Sequence, residues 1–125
     1  MNTIAYFEIQ SSYPDREVKF YTNVFGWKFT RDETIPLEYF RIETKTMNGG
    51  LLKRPAELPP QECGTNAFVS SIQVENFDIT ANLILGNGGS VAMPKFALPG
   101  KCWQGYFLDG DNNVFGIFQL DENAK

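Results

Sequence analysis

The 125-residue sequence predicts an α+β fold: two tandem βαβββ units whose strongly curved mixed sheets pair into an open barrel with a cleft. Three observations predict it. The order strand, helix, strand, strand, strand can be read twice along the chain. Landmarks also recur. Asp15 and Asp78, early in the two helices, stand 63 residues apart, and so do Gly26 and Gly89, which end them. Gly50 and Gly116, in the two final strands, stand 66 apart, which a small insertion explains. Finally, residues 105–119 hold two aromatic and β-branched runs around Asp109-Gly110-Asp111-Asn112-Asn113, a hairpin that closes a sheet.

Each element has its own signal. Residues 4–10 alternate, with Tyr6, Glu8 and Gln10 on one face and Ala5, Phe7 and Ile9 on the other. Ser12 is placed to cap a helix and Pro14 suits its first turn. Val18, Tyr21, Val24 and Phe25 then form a stripe at helical spacing, and Gly26 ends the helix in a left-handed conformation. Residues 27–34, 38–44 and 49–53 read as strands. The stretch containing Pro55, Pro59 and Pro60 cannot supply ladder donors and reads as a linker.

In the second unit, residues 67–74 form a strand and Asn76 caps a helix with a stripe of Ile79, Leu83 and Ile84. Gly86-Asn87-Gly88-Gly89 follows a helix instead of leading into one. A helix C-terminus repels anions, so this is a helix stop and not a phosphate loop. Residues 90–96 form a strand and 97–101 a loop before the hairpin. The whole is one domain: unit one over 1–54, a linker over 55–66, unit two over 67–120 and a short tail over 121–125.

Composition narrows the function. Forty-two per cent hydrophobic content with eleven Phe supports a full core. A net charge of −4 with no run of Lys or Arg argues against nucleic acid and membrane surfaces as partners. No stretch is long and apolar enough for a span or an export signal, so the cytoplasm is expected and the thiols of Cys63 and Cys102 should be free. The chain has no histidine. That excludes Ser-His-Asp and Cys-His catalysis and every His-ligated metal site.

Candidate functional residues lie on the strands. Glu8 shares a face with Tyr6, where it is a general base, an acceptor for a ligand's hydroxyl or amine, a carboxylate at a wet cleft rim, or one paired with Arg41. Ser71 and Gln73 face the same way on the matching strand. Tyr39, Trp103, Tyr106 and Phe118 are candidates for an aromatic lining or for core. A cleft of Tyr6, Glu8, Ser71, Phe118 and Trp103 would be mostly apolar with a few polar anchors, as small-molecule sites are. The glycines at 50 and 116 leave either cavity volume or room for close approach of another layer.

Two stretches carry a family likeness. Phe20-Tyr21-Thr22-Asn23-Val24-Phe25-Gly26-Trp27 resembles the motif FY..VFGW, and Asp109-Gly110-Asp111-Asn112-Asn113-Val114-Phe115-Gly116 resembles DPDGN.FG. Both belong to the vicinal oxygen chelate superfamily of glyoxalase I, bleomycin-resistance proteins and extradiol dioxygenases. Within it the chain is most similar to the glyoxalase-like branch. Gly110 replaces the family's Pro and Asn112 its Gly, both still turn formers.

The resemblance implies four metal-binding positions, one in each first strand and one in each last. By register these fall on Tyr6, Val69, Gly50 and Gly116, none of them His, Glu or Gln. The expectation is therefore a metal-independent glyoxalase-like or bleomycin-resistance-like protein that binds a small organic molecule, without cofactor, as a homodimer. The alternatives are a metal-free lyase or isomerase using Glu8 or Tyr6 as acid or base, and a non-catalytic partner or regulatory domain.

Overall fold

A computed structural model describes residues 2–58, 60 and 68–125. The chain forms two compact units, Met1–Leu58 and Pro59–Lys125. The predicted linker falls partly, and Cys63 wholly, outside the described residues.

Unit one runs β1 (Phe7–Ser11), α1 (Pro14–Phe25), β2 (Lys28–Arg31), β3 (Tyr39–Glu43) and β4 (Gly49–Lys53). Its sheet has the order β1-β4-β3-β2, with β1 parallel to β4 and the other pairs antiparallel. Unit two repeats this with β5 (Ser71–Gln73), α2 (Phe77–Gly86), β6 (Ser90–Leu98), β7 (Cys102–Leu108) and β8 (Val114–Leu120), in the order β5-β8-β7-β6 and with β5 parallel to β8. The fold is α+β, with two four-stranded mixed sheets and neither closed on itself.

Several boundaries differ from the sequence reading. The strand expected over 27–34 stops at Arg31, because the Asp32 carboxylate accepts from the backbone N–H and hydroxyl of Thr34 and turns the chain. The loop expected over 97–101 is shorter, since Ala97 pairs with Trp103 and Leu98 with Cys102. The expected tail folds back: Ala124 is buried and its carbonyl accepts from Gly100 N–H, while Asp121 N–H donates to the Lys101 carbonyl.

The first helix is not capped by Ser12. Tyr13 is the cap residue, and its side chain makes no capping bond. Ser11 does the neighbouring work: its Oγ accepts from Tyr13 N–H (3.0 Å) and its hydroxyl donates to the buried carboxylate of Glu17. Asn76 caps α2 as predicted, accepting from Ile79 N–H at 2.9 Å. Gly26 takes the left-handed conformation at φ 72°, whereas in unit two it is Gly88, not Gly89, that does so at φ 96°.

Each helix covers one face of its own sheet. In unit one, Phe20 and Tyr21 are buried, Trp27 stacks on Tyr21 (5.4 Å between ring centroids), and Ile42 and Leu51 are wholly enclosed. In unit two the buried stripe of α2 is Phe77 and Ile84. Ile79 and Leu83 fall on the opposite side of the helix, 61% and 41% exposed, because 3.6-residue spacing carries 77 and 84 to one face and 79 and 83 to the other. Enclosing an Ile or Leu stabilises the fold by roughly 1.5–3 kcal/mol. Among the described residues no helix is long and apolar enough to cross a membrane.

Candidate functional site

Strand alternation leaves each sheet with a second face, turned away from its helix. In unit one the helix side is marked by Ser11, which reaches Glu17 on α1, so Phe7, Ile9 and Ser11 point there. Glu8 therefore points the other way, in one row with Gly50 and Arg41. The next row holds Gln10, Leu52 and Tyr39.

On this outer face four side chains form a hydrogen-bonded chain. Tyr39 donates its hydroxyl proton to Glu8 Oε2 at 2.8 Å. The Tyr6 and Tyr39 hydroxyl oxygens are 2.8 Å apart, and Arg41 Nη1 donates to Tyr6 at 3.1 Å. The proton order follows. A phenol has one proton, Tyr39 spends its own on Glu8, and so Tyr6 must donate to Tyr39. The sequence runs Arg41, Tyr6, Tyr39, Glu8, with every donor pointing toward the carboxylate.

Electrostatics agree with that order. Burial, then the bonds to Tyr6 and Glu8 and the negative charge of Glu8, push the Tyr39 hydroxyl well above the ordinary phenol range, so it stays protonated. The bond to Tyr6, together with Asp32, raises Arg41 further and fixes its charge. Asp32 takes Arg41 Nε at 3.0 Å and is held below the usual carboxylate range, chiefly by the Thr34 hydroxyl and N–H. Neither phenol has a proton free for a substrate. Of these four side chains, Glu8 keeps one carboxylate oxygen outside the hydrogen bonds made among the described residues.

Unit two carries the same device in neutral chemistry. Ser71, Gly116 and Tyr106 form one row, and Gln73, Phe118 and Gln104 the next. Gln104 Nε2 donates to Ser71 Oγ at 3.2 Å across Gly116, as Tyr39 crosses Gly50 to reach Glu8. Glu8 and Ser71 are 63 residues apart, the repeat distance seen in the sequence.

The predicted site residues are thus divided. Tyr6, Glu8 and Tyr39 come together in unit one; Ser71, Gln73 and Phe118 share a face in unit two. Trp103 does not join them. It lies on the α2 side of β7, with the Lys95 ammonium 4.6 Å above its ring and its indole N–H donating to Asp121 at 2.9 Å. The Asn123 N–H, and then the Trp103 bond, hold the Asp121 carboxyl below the usual carboxylate range. Gly105, two residues on, points at Phe77 of α2, which fixes the side. Glu8 is paired with Tyr39, not with Arg41 as one reading had it. Sequence reasoning used Arg41 only as that partner and did not single out Gln104. Counting back along the hairpin from Gly116 leads to Tyr106, its direct partner; Gln104 pairs with Phe118 and reaches Ser71 diagonally.

A hollow of about 220 Å³ opens elsewhere, at the start of α1, lined by Ser12, Tyr13, Pro14, Asp15, Glu38 and Lys53. Lys53 Nζ there is already bonded to the Ser12 carbonyl at 2.6 Å.

Can these faces hold the metal that the resemblance implies? The register places Gly50 beside Glu8 and not Tyr6, and Gly116 beside Ser71 and not Val69. A Cβ at position 50 would stand 2.0 Å from the Tyr39 hydroxyl oxygen, and one at 116 would stand 2.6 Å from Ser71 Oγ and 2.8 Å from Gln104 Nε2. The space a ligating side chain would use is filled. Among the described residues no three His, Cys, Asp or Glu side chains gather to hold a metal ion. The residues present do not fit a divalent cation.

The profile described as the Glyoxalase/Bleomycin resistance protein/Dioxygenase superfamily matches residues 3–117, across both units. The chain belongs to this superfamily. Among curated superfamily relatives it is similar to the putative glyoxylase CFP32 of Mycobacterium tuberculosis, 25% identical over 118 residues. That match takes in 93% of the chain but only 45% of the relative, so the chain spans under half of the relative's length. Solved superfamily structures share the fold. The fosfomycin resistance protein FosX of Listeria monocytogenes superposes with a TM-score of 0.78 at 12% identity, covering 97% of this chain and 93% of that one. A glyoxalase/bleomycin resistance protein/dioxygenase family enzyme of Burkholderia phytofirmans gives 0.72 at 16%, covering 94% and 98%.

Proposed function

We propose that this superfamily member works without a metal and that the outer face of each sheet can bind a small organic molecule, through Tyr6, Glu8 and Tyr39 in unit one and, separately, through Ser71, Gln73 and Phe118 in unit two. One observation carries the reading: side chains of the fold itself, Tyr39 in one unit and Gln104 with Ser71 in the other, fill the space beside the two strand glycines. What remains on each face is a set of hydrogen-bonding groups among aromatic rings, the composition of a small-molecule site.

Calorimetric titration with Zn²⁺, Ni²⁺, Mn²⁺ and Fe²⁺ tests the metal-free part. The expected result is no stoichiometric binding to the purified protein. Tight one-to-one uptake of any of the four ions, abolished by Glu8→Gln, would overturn it.

The reading includes a homodimer in the cytoplasm. Its supports are the edge strands β1, β2, β5 and β6, whose outer sides are unpaired within their own sheets, and the buried free thiol of Cys102. Light scattering is expected to return twice the 14.1 kDa chain mass; a monomer mass at micromolar concentration would remove the dimer.

A further inference from the structure

The ligand can be specified further for unit one, and this step rests on the binding reading above. The Arg41–Tyr6–Tyr39–Glu8 chain has two chemically different ends. At one end, Arg41 uses Nε for Asp32 and Nη1 for Tyr6, which leaves Nη2 without a hydrogen-bond partner among the described residues. At the other end, Glu8 receives Tyr39 on one oxygen and keeps the second open. Between them the phenols offer no spare proton. Three hydrogen bonds of 3.1, 2.8 and 2.8 Å separate the donor end from the acceptor end. The Tyr6 ring, 39% exposed, lies along the way as an apolar surface.

We infer that this face takes a small zwitterion, with an amine on Glu8, an acid group on Arg41 and a short methylene chain lying over the Tyr6 ring. The local charge ranks the two ends. Glu8 and Asp32 outnumber Arg41 in this patch, and Arg41 already has Asp32 as a partner at 3.0 Å. The amine is therefore the stronger determinant and the acid the weaker one. Length matters as well. In glycine the ammonium and carboxylate are too close to reach both ends of a three-bond chain, whereas a spacer of several methylenes lets one molecule satisfy both.

The probes are glycine, γ-aminobutyrate and ε-aminocaproate, with butylamine and butyrate as single-function analogues, titrated by NMR into the 125-residue protein. The longer zwitterions should bind at least tenfold more tightly than glycine, and removal of the amine should weaken binding more than removal of the acid. Glu8→Gln should erase the advantage of the amine and Arg41→Gln that of the acid; both residues are exposed, and the analogue comparison on the unaltered protein stands without either variant. Longer zwitterions that bind no better than butyrate or butylamine would overturn the inference, as would full preference in both variants. If a neutral compound from a metabolite screen binds this face while every zwitterion fails, the inference falls and the binding reading survives. If no compound of any class shifts the Tyr6, Glu8 or Arg41 resonances, both fall.

Discussion

Replacing Glu17 with alanine is expected to destabilise the fold by about 2–4 kcal/mol, although the residue lies outside both candidate faces. Its side chain is wholly buried in the first turn of α1, and that of Arg16, which donates to it at 2.7 Å, is 44% exposed. The deeper partner is Ser11, also fully buried, whose hydroxyl donates to the carboxylate while its oxygen receives the Tyr13 N–H. The last residue of β1 is in this way joined to the start of α1, and the join sets which face of β1 looks inward. Alanine would leave a buried hydroxyl without its acceptor and open a void. The half-exposed guanidinium can turn to water, so its loss adds less. Glu17→Gln keeps a carbonyl for Ser11 and should lose about half as much. Urea unfolding at constant slope reads both values. A Glu17→Ala protein within about 0.5 kcal/mol of the parent would show that the join contributes nothing.

The repeat was legible because its markers are backbone requirements. Gly26 sits where a left-handed residue must, Asn76 where a helix needs an acceptor, and residues 109–113 where a hairpin must turn. Gly50 and Gly116 were legible as mid-strand gaps but not in what they make room for. A glycine records that something comes close; it does not say which neighbour. That depends on pairing register, and register puts Tyr39 and Gln104 one row over from their glycines, each reaching diagonally to the first strand. Trp103 was misplaced for a related reason: side chains alternate along β7, so one position decides between the helix side and the outer face. Glu17 gave no signal at all, since an acid in a first helical turn is ordinarily a solvated partner of the helix dipole. The second-helix stripe was misjudged because α2 is apolar nearly all round, and Ile79 and Leu83 look as buriable as Phe77 and Ile84.

The tightest spot on either face gives the second large effect. Gly50→Ala is expected to destabilise the fold by about 1–3 kcal/mol, although alanine suits a strand better than glycine does. The new methyl would stand 2.0 Å from the Tyr39 hydroxyl oxygen and 2.3 Å from the ring carbon bearing it. Tyr39 is itself buried, so its ring has to leave its place, and the bonds to Glu8 and Tyr6 go with it. Gly116→Ala makes the contrast. There the two closest atoms are the ends of Ser71 and Gln104, which can rotate away, and the Tyr106 ring carbon at 3.1 Å has only a few tenths of an ångström to give, so a cost of about 1 kcal/mol is expected. A double variant separates crowding from any other effect of alanine at position 50. Tyr39→Ala alone should lose several kcal/mol, roughly 3–5, by emptying an aromatic site. Together with Gly50→Ala the methyl has space, so the pair should be less damaging than the sum of the two by about 1–2 kcal/mol. Strict additivity would mean that Tyr39 does not occupy the gap at Gly50, and the case for a metal-free face in unit one would lose its main support.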